Sequence, residues 1–372
     1  MNKRYISLGL MSGTSGDGID ASVINSNGID DYESIKDKFF EYDEEIFKNI
    51  HKLKEKINNS KDLITFSAEI LNLERKITLF HAKIIKDLEI QYENYIIGFH
   101  GQTIYHNSEE KKSIQLGDAN LLNQLIKKKV VFNFRANDIA NGGEGAPLVP
   151  IFHKLLVSKK KITYPIGILN IGGISNITAI KNEIGNEKFF SRDIGPGNCL
   201  IDSWVRKNSK NKFDKDGKLA MVGENNEIIF EQAQELYSNR INKNKLSFDI
   251  NDFDISFARG LSLEDGARTL TNFTASIIGE VIMNTISNNK LNILKLLVSG
   301  GGRKNKILLE EIKKNLGKNI SLIVIDDYGL DGDFIESQAF AYLAIRSILK
   351  LPISFPNTTG CNKPCSGGEL VG

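Results

Sequence analysis

Asp193 opens the segment DIGPGNCLIDSW, where a carboxylate at the end of an extended stretch is followed, after Ile194, by Gly195-Pro196-Gly197. The Gly-Pro-Gly run forces a tight turn, and Asn198 stands where its side chain could cap a helix running through Trp204. A carboxylate fixed there suits two roles: an acceptor that holds the turn, or a general base beside a phosphate site. Other segments point to phosphate as well. Glycine-rich stretches follow apolar runs at residues 13–18, 172–176 and 300–302, besides 193–198 itself. Backbone without side chains lets N–H groups approach an anion, so each stretch is a candidate phosphate cradle. None carries the lysine and hydroxyl of a Walker loop and none completes a dinucleotide fingerprint, so their weight lies in their number. His100, in GFHGQT, follows a buried strand and reads first as a hydrogen-bonded interior residue. Glu336 begins the last helical pattern, where it either favours the helix dipole or contacts a polar substrate.

The spacing of apolar residues outlines the elements that must position these groups. Ile6, Leu8 and Leu10, then Ile19, Ala21 and Val23, alternate on either side of the polar stretch 12–18. That is a hairpin whose turn is too long and too polar to be only a turn. PIGILNIGGISNITAI repeats the design around Gly172 and Gly173, which suggests a duplicated plan with one glycine-turn hairpin per domain. Apolar residues at 63, 66, 70, 73, 77, 80, 84 and 88 predict one long amphipathic helix. YENYIIGFHGQTIYH reads as strand, loop, strand, and VVFNFRANDIANGGEGAPLVP as a buried strand running into a Gly/Pro-rich loop at 141–150. Farther on, LEDGARTLTNFTASIIGEVIMNTI is helical, ILKLLVSGGGRKNKILLEEIKKNL is strand–turn–helix, SLIVIDDYG is a strand and ESQAFAYLAIRSIL a helix. Such repeats predict an α/β protein with open sheets and ligands at the strand ends.

Bulk properties agree. A chain of 372 residues suits two domains at ~100–200 residues each, with the division expected at 1–150 and 151–372. Apolar content of 41% and charged content of 25% are those of a globular protein with a sizeable core. A formal charge of +2, from 48 basic and 46 acidic residues, argues against a nucleic-acid binder built on a large basic surface. The lysine runs at 127–129 and 159–161 read as solvated faces. Cys199, Cys361 and Cys365 are too few and too irregular for a disulfide framework and fit a reducing compartment. Cys361 and Cys365 could share a metal, but nothing nearby in the sequence supplies two further ligands, so no structural zinc is expected. No run approaches the ~18 apolar residues of a membrane span. The apolar stretch after Lys3 and Arg4 breaks too early for a secretion signal, so a cytoplasmic location is expected.

Taken in order, GLMSGTSGDGIDAS, GFHGQTIYH, QLGDANLL, NGGEGAPLVPIFH, LNIGGISNIT, DIGPGNCLIDSW, FDKDG, LVSGGGRKN and ESQAFAYLA closely resemble the anhydro-N-acetylmuramic acid kinase family, from residue 6 to about residue 345. The resemblance implies two related domains of actin-like ATPase (ribonuclease H-like) fold around a central ATP/sugar cleft. It implies that 1,6-anhydro-N-acetylmuramic acid is opened by water at C1 while O6 takes the γ-phosphoryl group of ATP, with Asp193 as the catalytic carboxylate. By the same mapping Gly13, Thr14, Ser15, Gly16, Asp17, Gly18, Ile19 and Asp20 form the ATP phosphate loop. Gly172 and Gly173 form the second such loop, and Gly300, Gly301 and Gly302 lie near the adenosine. His100, Gln102, Arg135 and Glu336 are candidate sugar contacts, and Asp17 would hold Mg²⁺ directly or through water. The chain departs from the family's usual residues at Gly16, Ala136, Asn137 and Glu144. A homodimer with no nucleic-acid or membrane partner is implied. Competing readings are an ordinary hexose or N-acetylhexosamine kinase of the same superfamily, and a non-kinase actin-like ATP-binding module.

Overall fold

In a computed structural model that describes residues 3–183, 186–240, 246–289 and 291–372, the opening alternation forms β1 (Tyr5–Ser12) and β2 (Gly18–Ser26). They pair antiparallel, Leu8 facing Val23 and Leu10 facing Ala21. β3 (Tyr32–Glu41) continues the meander on β2. Helices α1 (Glu44–Lys56), α2 (Asp62–Thr65) and α3 (Ser67–Asp87) follow. β4 (Ile96–Asn107) then runs parallel to β1, and β5 (Lys112–Leu116) folds back on β4. After α4 (Ala119–Ile126), β6 (Lys129–Phe132) adds parallel to β4, which gives the order β6-β4-β1-β2-β3. α5 (Ala136–Ala140) and α6 (Pro150–Lys159) complete this stretch.

The second unit repeats the plan. β7 (Ile166–Ile171), β8 (Ile174–Glu183) and β9 (Asn186–Pro196) form an antiparallel meander. α7 (Cys199–Asn208), α8 (Lys218–Val222), α9 (Glu227–Arg240) and α10 (Leu263–Asn288) come next. β10 (Lys295–Ser299) lies parallel to β7, α11 (Lys306–Asn315) crosses over, and β11 (Ser321–Val324) lies parallel to β10. The order β11-β10-β7-β8-β9 is that of the first sheet with each strand replaced by its counterpart. Both sheets thus have the ribonuclease H-like arrangement, and the duplication suggested by the two glycine-turn hairpins holds at the level of topology.

Each unit has its own core. Leu8, Leu10, Ile97 and Phe99 of the first sheet bury against Ile50 of α1 and Ile77 and Ile84 of α3. Leu169, Ile177 and Val298 of the second bury against Ile278 and Ile282 of α10 and Leu308 and Ile312 of α11.

The domain division differs from the expected 1–150 and 151–372. The compact units are 1–162 with 333–372, and 163–332. The reason is packing at two glycines. α12 (Ile335–Ile348) lies so close on β1 and β4 that a Cβ on Gly9 would stand 1.9 Å from the Ser337 carbonyl oxygen, and one on Gly98 would stand 2.3 Å from that of Phe340. After the short α13 (Pro356–Thr359), β12 (Glu369–Val371) pairs with β6 and extends the first sheet. Three local expectations also change. The helix expected over 63–88 is broken at Phe66, whose backbone leaves the helical region (φ −100°, ψ 20°). The stretch read as strand–loop–strand is one strand, β4, which accommodates Gly101 at φ +74°. Asp193 lies inside β9 rather than at the end of an extended stretch.

Candidate active site

In the first unit the β1–β2 loop closes on itself and is braced from two sides. The Gly16 amide donates to the Gly13 carbonyl at 3.1 Å, with Gly16 at φ +63°, where an L side chain is strained. Ser15 Oγ donates to Asp17 Oδ1 at 2.6 Å. From β4, Gln102 donates through Nε2 to the Gly13 carbonyl at 3.0 Å and accepts through Oε1 from Ser12 Oγ at 2.6 Å. Tyr42 OH donates to the same Ser12 oxygen at 3.1 Å, and the Tyr42 amide donates to the Asp17 carbonyl at 2.9 Å. From α1, the buried Lys54 donates from Nζ to the Thr14 carbonyl at 2.8 Å. Gln102, expected at the sugar, is fully buried and braces the β1–β2 loop. Lys54 and Tyr42 were not singled out from the sequence. A lysine on an otherwise apolar helical face beside Leu53 was the available signal.

His100 and Arg135 come together. His100 is 4% exposed, its Nδ1 lies 2.8 Å from the Gly101 carbonyl and its Nε2 3.0 Å from Arg135 Nη2. Both contacts suit one neutral tautomer, with Nδ1–H donating and Nε2 accepting from the guanidinium. Burial first, and the Arg135 charge second, push the His100 pKa down to about 3. The ring also packs against Phe340 of α12, centroids 4.5 Å apart. Glu336 lies one turn earlier on the same helix, so it shares that face.

In the second unit Asp193 sits at an irregularity of the β8–β9 ladder. Asn176 pairs with Asp193 and Ser175 with Gly195, so Ile194 is the extra residue of a bulge. Its carboxylate is buried, Oδ2 accepts from the Phe248 amide at 2.9 Å, and its own amide donates to the Leu246 carbonyl at 2.8 Å. The Gly172-Gly173 turn lies against the start of α7. The Asn198 amide donates to the Gly172 carbonyl, and those of Gly197 and Cys199 to the Gly173 carbonyl, at 2.8–3.1 Å. Asn198 stands at the helix start as expected but makes no side-chain cap, and its Nδ2 lies 3.5 Å from the Ile171 carbonyl.

The triple-glycine turn after β10 is held by an ion pair. Arg303 donates from Nε and Nη2 to the two carboxylate oxygens of Asp326 at 2.7 and 3.0 Å, and from Nη1 to the Gly300 carbonyl at 3.1 Å. That fork keeps the Asp326 pKa below the usual carboxylate range. Gly300 itself has φ +79° and packs against β7.

Glycines in these loops differ in what they are for. At Gly18, Gly300 and Gly302 a Cβ would meet protein atoms within 2.3–2.6 Å, so the fold itself needs glycine there. At Gly13, Gly172 and Gly301 the nearest atoms would be 3.5–3.9 Å away, and no unusual φ demands glycine. Backbone left bare where packing does not require it is what a close-lying phosphate or base would need. The oxygen donors of Asp17, Ser15 and Thr14 in the first loop suit Mg²⁺, a hard cation.

A family model described as anhydro-N-acetylmuramic acid kinase matches residues 3–371. A protein of that name from Pelagibacter ubique (strain HTCC1062) is 57% identical over 373 residues, covering 100% of this chain and 99% of the relative. Another of that name from Gluconobacter oxydans (strain 621H) is 35% identical, covering 98% and 99%. Among solved structures, the activator of the 2-hydroxyisocaproyl-CoA dehydratase from Clostridium difficile with bound ADPNP aligns at TM-score 0.39 and 11% identity, over 91% of this chain and 94% of that one. No helix among the described residues is long and apolar enough to cross a membrane.

Proposed function

Because the chain belongs to the anhydro-N-acetylmuramic acid kinase family, we propose that it opens 1,6-anhydro-N-acetylmuramic acid with water and phosphorylates O6 from ATP, with Asp193 as the base. The enzyme is a kinase of a cell-wall amino sugar, and its reaction belongs to peptidoglycan recycling. Asp193 takes a proton from water as the water oxygen bonds to C1. The C1–O6 bond breaks, and O6 bonds to the γ-phosphorus while the bond from that phosphorus to the β–γ bridging oxygen breaks. The products are N-acetylmuramic acid 6-phosphate and ADP. Attack opposite the leaving oxygen is the geometry of inverting glycoside hydrolysis, which needs one carboxylate to act on water.

The observation that carries this reading is the main-chain anchoring of Asp193 at the β9 bulge, since a general base must be held in one orientation. Gly13, Thr14, Ser15, Gly16, Asp17, Gly18, Ile19 and Asp20 bind the ATP phosphates, with Gln102 and Lys54 fixing that loop. Gly172 and Gly173 form the second phosphate loop, and Gly300, Gly301 and Gly302 face the adenosine. Asp17 would hold Mg²⁺ directly or through water, and the ion when bound would supply charge neutralisation at the transferring phosphoryl group. The bare backbone at Gly13, Gly172 and Gly301 supports these assignments. Arg135, aimed by neutral His100, pairs with the lactyl carboxylate of the sugar, for which its planar fork is suited. Glu336 accepts from a sugar hydroxyl or amide.

A coupled ADP-release assay tests this reading. The anhydro sugar should turn over, while N-acetylglucosamine and glucose should release ADP no faster than a blank. Turnover of either simple sugar at the same rate would reject it.

A further inference from the structure

The clearest group outside the kinase machinery joins two distant stretches of the first unit. Asp138 of α5, Cys361 and Cys365 each offer one ligand atom, all within 4.8 Å of one another, and all three side chains are buried. From two sulfurs and a carboxylate so arranged, we propose that Asp138, Cys361 and Cys365 form a binding site for a thiophilic divalent cation of the zinc type.

The donor set is the one such ions select, thiolate with carboxylate. Tetrahedral zinc with Zn–S bonds of ~2.3 Å sets its ligands roughly 3.8 Å apart, so the cluster needs to contract by no more than about 1 Å. Supporting contacts are already in place. Thr359 Oγ1 donates to Asp138 Oδ1 at 2.6 Å, and the Gly145 amide to Oδ2 at 2.7 Å, the kind of outer hydrogen bonds that orient a ligating carboxylate. Ser354 Oγ lies 3.1 Å from Cys365 Sγ and 4.0 Å from Cys361 Sγ, so an oxygen donor stands beside both sulfurs.

The backbone around the cluster is also fixed. Ser354 and Cys365 exchange main-chain hydrogen bonds at 3.1 and 3.2 Å. The Glu144 amide donates to the Thr359 carbonyl at 2.8 Å, and the Asn362 amide to the Asn141 carbonyl at 3.0 Å. The third ligand could not be expected from the neighbourhood of the cysteines because it comes from α5, directly after Arg135. A cation there would tie the C-terminal segment to the loop that follows Arg135.

The test uses the full-length protein, stripped with a chelator and titrated with Cd²⁺, then separately resupplied with Zn²⁺. An ultraviolet thiolate-to-metal band should saturate at about one Cd²⁺ per chain. It should be abolished in Cys361→Ser/Cys365→Ser and retained in Cys199→Ser. Zinc should restore a melting temperature that the chelator lowers. This second readout stands even if the double variant does not fold. No band at one equivalent, a band that survives the double substitution, a melting temperature indifferent to zinc, or intact protein two hydrogens light from a Cys361–Cys365 disulfide would each overturn the proposal.

Discussion

The Phe248 amide donates to Asp193 Oδ2 at 2.9 Å, so main chain holds the proposed base. Asparagine at 193 retains an acceptor for that amide but removes the basic oxygen. Asp193→Asn should therefore lower kcat at least ~10²-fold and leave nucleotide affinity close to wild type. Single-turnover rates and ATP binding measured by calorimetry check this. Retained turnover would move the base elsewhere.

Gln102 braces the β1–β2 loop, the proposed phosphate loop, so its loss should be felt through ATP. Gln102→Leu removes one bond each to the Gly13 carbonyl and the Ser12 hydroxyl, a loss of about 0.5–1.5 kcal/mol per bond. The carbonyl keeps the Gly16 amide as a partner, and the hydroxyl keeps the Gly18 carbonyl and the Tyr42 hydroxyl. The KM for ATP should rise on the order of tenfold, with the sugar KM little changed. A rise confined to the sugar KM would restore the direct contact expected from the sequence.

Gly9→Ala should separate α12 from β1, because the new methyl would stand 1.9 Å from a backbone oxygen that cannot rotate away. Overpacking of this kind costs about 1–3 kcal/mol or more. Thermal unfolding should show a clearly lowered Tm. An unchanged Tm would mean that the helix sits less tightly than described.

How far these relationships can be read in advance depends on whether both partners lie in one stretch of chain. The paired hairpins were legible because each carries its own alternation and its own glycine turn. The attachment of α12 was not, since Gly9 and Gly98 look like ordinary strand residues until Ser337 and Phe340 lie on them. The Gly-Pro-Gly run drew attention to Asp193 as a candidate, whereas the amide that anchors it comes from Phe248, which no local pattern marks. The contacts of Gln102 with Ser12 and Gly13 were not legible for the same reason. GFHGQT shows a polar side chain near a strand end, but not that Ser12 and Gly13 lie across the ladder.

Acid should weaken the fold before most carboxylates titrate. Burial lowers the pKa of His81 from 6.5 to about 4, and of His100 and His153 to about 3. The folded chain keeps all three neutral, while the unfolded chain protonates them near 6.5, so the unfolded state binds more protons below that pH. Their stabilising contribution is complete above 6.5 and is lost progressively as pH falls, toward 4 for His81 and toward 3 for His100 and His153. The slope approaches roughly 1.4 kcal/mol per pH unit for each histidine. Urea midpoints should be level between pH 7 and 8 and fall steadily from 6 to 5. A level profile through pH 5 would contradict the buried neutral assignments.

The central claim is that water enters the sugar at C1 as ATP phosphorylates O6. Turnover in ¹⁸O-water, with the product trapped before anomeric exchange, tests it most directly. One ¹⁸O on the anomeric carbon and none in the phosphate is the expected outcome, with Asp193→Asn forming little of either product. An unlabelled anomeric oxygen, or label on the phosphate, would contradict it.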